Sequence, residues 1–135
     1  MQKRNNVSMN PHTKRVVHQK FRRFHFFLSY GINPVMAQRT FQHLEMVRRI
    51  LLKRLQKYNA RIYLFGSMAR GEVRRTSDID IAVLPVGNLP DGVFSQIRED
   101  LENSRVPYRV ELIDLAKASP RFSAHVQKVG IPWNG

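Results

Sequence analysis

The chain has 135 residues, 42% hydrophobic and 24% charged, with 23 Lys and Arg against 10 Asp and Glu and no cysteine. That size suits one compact domain, and the lack of cysteine excludes a disulfide framework, a thiolate metal site and a thiol nucleophile. No apolar run approaches the ~20 residues that span a bilayer, so a reducing, cytoplasmic setting is expected and no membrane partner.

The net charge of +13 is unevenly spread, because residues 1–44 carry eight Lys or Arg and no acid, while residues 45–135 hold 15 bases and 10 acids. Residues 1–20 have few apolar side chains and no sustained period, and are expected to be disordered. In Phe21-Arg22-Arg23-Phe24-His25-Phe26-Phe27-Leu28-Ser29-Tyr30 aromatics interleave with cations. Such a stretch could stack on single-stranded bases while Arg22 and Arg23 meet phosphate. A solvated basic tail is the commoner meaning of such a tract. Residues 1–35 are therefore assigned to a basic extension and residues 36–135 to the folded domain.

Asn33-Pro34 resembles a helix N-cap followed by proline at the first helical position. From there Phe41, Leu44, Val47, Leu51, Leu55 and Tyr58 form one apolar stripe of an amphipathic helix that ends at Asn59. Arg48, Arg49, Lys53, Arg54 and Lys57 make its solvated face. Arg61-Ile62-Tyr63-Leu64-Phe65 reads as a buried strand that stops at Gly66. Residues 78–84 give a second strand, bounded by Pro85. Val93, Ile97 and Leu101 mark a helix ending near Ser104, and Val106 to Ile113 a third strand. Phe122, Val126 and Val129 stripe a last helix, closed by Gly130 in the usual C-terminal position. The order α-β-β-α-β-α indicates an α/β (α+β) domain, a small mixed sheet flanked by helices.

The chemistry concentrates in Gly66-Ser67-Met68-Ala69-Arg70-Gly71 and Ser77-Asp78-Ile79-Asp80-Ile81. Side chains alternate along a strand, so Asp78 and Asp80 share one face and Ile79 and Ile81 the other. Two carboxylates ~7 Å apart repel one another, and hard oxygen ligands of this kind are what Mg²⁺ takes. Glu111, inside another apolar strand, would join them if the strands are neighbours. Backbone N–H groups at Gly66 and Ser67, with the Ser67 hydroxyl, would cradle phosphate oxygens. Arg70 adds a cation, and Arg74 or Arg75 can assist. A phosphate cradle beside an acid cluster points to metal-assisted phosphoryl or nucleotidyl transfer. Elsewhere Asp114 reads as a turn cap, His125 as a surface residue and Trp133 as a packing residue held by Pro132.

The Gly-Ser turn, spacer and Asp-x-Asp together resemble the DNA-polymerase-β-like nucleotidyltransferase superfamily, in particular its minimal nucleotidyltransferase branch. Val110-Glu111-Leu112-Ile113-Asp114-Leu115 and the final helix are similar to that branch's ending, and the resemblance spans about residues 37–133. It implies nucleotide binding by Gly66, Ser67, Arg70 and Ser77, with ATP as substrate. It implies two Mg²⁺ ions on Asp78, Asp80 and Glu111, which would also be the catalytic residues. Glu111 stands where the family usually has Asp, and is one methylene longer. Members of the branch pair with a helical HEPN-type toxin, and the resemblance implies AMP transfer from ATP to a toxin tyrosine, with this chain as antitoxin. Two alternatives stay beside that reading. One is a binding-only antitoxin of the same fold, and the other is a nucleic-acid-binding module working through the basic N-terminal segment. The second ranks last, so nucleic acid is not the expected partner. Self-association to a homo-oligomer remains open.

Overall fold

The computed structural model describes residues 34–72 and 77–134. The expectations for residues 1–33 and for Arg74 and Arg75 lie outside the described residues. Helix α1 (Pro34–Leu55) starts at its proline, where a missing N–H costs nothing, and buries Leu44, Val47, Leu51 and Leu55 as its apolar stripe requires. Its basic face is not wholly solvated, which corrects the expectation for two residues. Arg48 turns inward and donates to the Trp133 carbonyl at 2.9 Å. Arg54 makes a paired contact with Asp100, its Nε 2.6 Å from the carboxylate.

Strand β1 (Ala60–Phe65) runs into a four-residue helix, α2 (Gly66–Ala69), pinned to the interior by buried Met68. The sequence reading had only a turn there. Strand β2 (Ile79–Pro85) pairs antiparallel with β1. Helix α3 (Val93–Glu102) then crosses to β3 (Val110–Asp114), which lies parallel to β2. Helix α4 (Pro120–Val129) is capped by Ser119, whose side chain accepts from the Phe122 N–H, and it leads to the two-residue strand β4 (Ile131–Pro132). The sheet order β3-β2-β1-β4 is mixed.

Two further expectations need correction. The third strand begins at Val110 rather than Val106. Pro107 has no N–H for a ladder, and β2 offers no residue before Ile79, whose N–H donates to the Arg109 carbonyl at 2.8 Å. Strand β4 was not foreseen, since two residues ending in proline carry no period. Gly130 closes α4 as expected, in an extended conformation (φ −71°, ψ 155°). Glycine is needed there because a Cβ would lie 2.6 Å from the Val126 carbonyl oxygen.

One face of the sheet packs Ile62, Leu64, Ile79, Ile81 and Val83 against α1 and α3, with Trp133 fully buried among them. Each such aliphatic side chain contributes roughly 1.5–3 kcal/mol by burial. The other face carries a smaller cluster, in which Tyr63, Ala82 and Leu115 meet Val126 of α4, with Phe65 and Phe122 at its margin. Asp80 belongs to this second face by alternation with Ala82.

Candidate active site

Strand pairing places the carboxylates. Asp80 has Phe65 as its cross-strand partner on β1 and Glu111 as its partner on β3. Residues directly opposite point to one side of a sheet, so Phe65, Asp80 and Glu111 line up across three strands. Asp78 precedes β2 by one residue and is half-buried like Asp80, whereas Glu111 is exposed.

Gly66 ends β1 beside them. Its φ of +74° is left-handed, and a Cβ built there would run into Oδ2 of Asp80. Glycine is thus demanded twice, by the backbone and by the carboxylate against it. The turn after it is tight: the Ser67 carbonyl accepts from the Arg70 N–H at 3.1 Å and from the Glu72 N–H at 2.9 Å. The first N–H groups of a helix have no partner within it, so those at Ser67 and Met68 have no intrahelical acceptor.

The electrostatics report crowding. The Asp80 carboxyl is pushed up from an ordinary 3.8 to about 6, first by burial, then by the charges of Glu111 and Asp78 and a hydrogen bond with Glu111, with Arg70 pulling it down. Arg70 is exposed and paired with Glu72 at 3.4 Å, so part of its charge is spoken for. Ser77 donates its hydroxyl to the Glu72 carbonyl at 3.5 Å. The structure therefore brings Gly66, Asp78, Asp80, Glu111 and Arg70 into one neighbourhood, with Ser67 on the turn and Ser77 at the margin.

A divalent cation fits the chemistry of this donor set: hard carboxylate oxygens crowding one another, with Arg70 offsetting the charge of Asp80 among the described residues. As they stand the acids are neighbours rather than a closed ligand set, since among the described residues no three Asp, Glu or His side chains converge as a metal-binding group. Two residues of the site had escaped sequence reasoning. Phe65 stands directly across from Asp80 on β1, and its position just before the glycine was the available signal; Glu72, which holds Arg70, had none. Outside the site, Trp133 and His125 are buried and exposed as expected. Asp114 accepts from the Ala116 N–H at 2.9 Å, the turn cap foreseen for it. No helix among the described residues is long and apolar enough to cross a membrane.

Residues 50–132 match the family described as Polymerase beta, Nucleotidyltransferase. The chain is 30% identical over 88 residues to a Haemophilus influenzae protein named Probable protein adenylyltransferase MntA, over 65% of this chain and 75% of that one. It is also similar to a chain in a toxin–antitoxin crystal structure with AMP-PNP, at 33% identity and a TM-score of 0.52, over 65% of this chain and 73% of that chain. A chain of the toxin–antitoxin pair MntA-HepT matches at 29% identity and a TM-score of 0.51, over 70% of this chain and 71% of that chain.

Proposed function

Because the chain belongs to the polymerase-β nucleotidyltransferase family, we propose that it transfers AMP from ATP to a tyrosine hydroxyl of a HEPN-type partner and serves as that partner's antitoxin. The observation that carries the reading is the line Gly66–Asp80–Glu111, a left-handed glycine turn pressed against one carboxylate with a second in register beside it. The similar chains solved with AMP-PNP and as MntA-HepT supply the nucleotide and the partner class.

Gly66 and Ser67 hold the β- and γ-phosphates through backbone N–H groups and the Ser67 hydroxyl, and Arg70 and Ser77 border the same cradle. The α-phosphorus then faces the carboxylates. The acceptor oxygen attacks it in line and its proton passes to Glu111. The bond from the α-phosphorus to the bridging oxygen breaks, and pyrophosphate leaves with that electron pair. Asp78, Asp80 and Glu111 would hold two Mg²⁺ ions, which neutralise the triphosphate and make the acceptor hydroxyl easier to ionise. Phe65 keeps water from one side of Asp80, which strengthens every charge interaction there.

One observation favours a second reading, neutralisation by contact alone: the three acids do not close as a ligand set. Label transfer separates the two. The protein is incubated with Mg²⁺, α-labelled ATP and a purified HepT-type HEPN protein, with Asp80→Asn in parallel. A labelled band that needs Asp80 and is absent with γ-labelled ATP is the expected result. Full neutralisation of the partner by both proteins, without label, would establish the contact-only antitoxin.

A further inference from the structure

Strand β3 forms one edge of the sheet. Its bonds to β2 run from the Ile79 N–H to the Arg109 carbonyl, 2.8 Å, up to the Leu115 N–H and the Val83 carbonyl, 2.9 Å. Backbone groups alternate along a strand, so residues 109, 111, 113 and 115 face β2. Val110, Leu112 and Asp114 then aim their N–H and C=O groups away from the sheet. Among the described residues, two of these groups have partners. The Arg98 guanidinium donates to the Leu112 carbonyl at 3.2 Å, and the Lys117 N–H donates to the Asp114 carbonyl at 3.1 Å. A hollow of about 370 Å³, walled by Leu101, Val106 and Tyr108, opens beside the start of the strand. A second of about 360 Å³, walled by Phe94 and Lys117, opens beside its end, and Arg98 lines both. Among the described residues, a long side chain thus stands guard halfway along the edge, and a turn covers only its Asp114 end.

We propose that this edge receives an extended segment of the acceptor protein as a fifth strand, with a tyrosine opposite Glu111. The inference rests on the transfer reading above and specifies how the acceptor reaches that site. An added strand lies ~4.8 Å from β3, and the residue opposite Glu111 shares its side of the sheet. Asp80 is one strand spacing further in. A serine or threonine hydroxyl stays close to its own backbone and falls short of that gap. A tyrosine side chain lies across β3 and brings its hydroxyl over the Glu111 carboxylate, where its proton is taken as the oxygen bonds to phosphorus. Main-chain bonds from Val110 and Leu112 supply attachment, and the two hollows take the side chains that alternate to the opposite face. Arg98 must leave the Leu112 carbonyl for the new strand to bond there.

Val110→Pro tests this, because it deletes an outward N–H and leaves the β2–β3 ladder whole; proline is tolerated on strand edges for that reason. Val110→Ala keeps the N–H and serves as the packing control. The probe is the protein that accepts label in the transfer assay, used intact. With Val110→Pro the KM for acceptor should rise tenfold or more while the KM for ATP moves less than twofold. Arg98→Ala should lower the acceptor KM, and hydrogen exchange at the Leu112 and Asp114 amides should slow when acceptor is bound. An unchanged acceptor KM in Val110→Pro, or amides that exchange as fast with acceptor as without it, would overturn the proposal. Should Val110→Pro not fold, Arg98→Ala and the exchange measurement decide. If no protein accepts label, the transfer reading falls, and exchange on titration with the HepT-type protein still tells whether a strand is added at this edge.

Discussion

Replacing Asp80 by asparagine should abolish transfer and, in the same molecule, raise stability. Burial and the charges of Glu111 and Asp78 push the Asp80 carboxyl up from 3.8 to about 6. The folded protein therefore holds this proton more tightly than the unfolded chain does. Between pH ~4 and ~6 the native state binds more protons, so stability falls as pH rises through that window, and the whole penalty is present above it. A gap of about two pH units corresponds to ~3 kcal/mol. Asp80 is half-buried, and solvent screening brings the expected effect to about 1–2 kcal/mol. Asparagine keeps the shape, carries no charge and can donate to Glu111 as the neutral carboxyl does. Urea unfolding of both proteins in EDTA, at pH 4.5, 6 and 8, measures the difference. The variant should be more stable by ~1–2 kcal/mol at pH 8, with the gap closing toward pH 4.5 and narrowing again when Mg²⁺ is restored to the wild type. Equal stability at pH 8, or a gap independent of pH, would refute the reasoning.

Gly66→Ala forces a side chain into a left-handed residue, which costs ~1–2 kcal/mol before its contact with Asp80 is counted. It should lower the melting temperature and eliminate nucleotide-dependent label transfer together, and an unaltered melt would remove the steric argument. Glu111→Asp shortens the third acid to the family's usual length; single-turnover kinetics should show a severalfold faster transfer at unchanged ATP affinity, and Glu111→Gln a loss. Trp133→Ala empties a site with 0% exposure in the main cluster, and should cost about 3–5 kcal/mol in urea unfolding without altering the pH dependence due to Asp80.

The helices and central strands were legible because each repeats an apolar period over enough residues. Leu44, Val47, Leu51 and Leu55 are all buried, as their spacing requires, and so are Ile79 and Ile81, which alternate with the two aspartates. What escaped is short or depends on tertiary partners. Helix α2 has four residues, too few for a period, and owes its place to Met68. Arg48 lies on what reads as a polar face, yet it turns in because the Trp133 carbonyl, 85 residues away in sequence, needs a donor. Gly130 was legible as the helix end, but its constraint, a contact with the preceding turn of helix, was not.

For the site the division is similar. Alternation put Asp78 and Asp80 on one face, but nothing in the sequence states which strand lies next to β2. Glu111 could join them only through a parallel β2–β3 pair, and the right register depends on where that ladder starts. The structure puts Glu111 directly opposite Asp80; a slip of one residue would have sent its carboxylate to the apolar face. The ladder starts where it does because Pro107 cannot donate and Ile79 is the first residue of β2. A feature that shortened the expected strand therefore also aligns the acids. The same alternation leaves Val110, Leu112 and Asp114 with their backbone groups turned outward. Register that serves the carboxylates on one face thus determines which backbone groups the edge offers to a second protein. Shifting it by lengthening the 103–109 loop by one residue should disturb the Asp80 titration and the edge together.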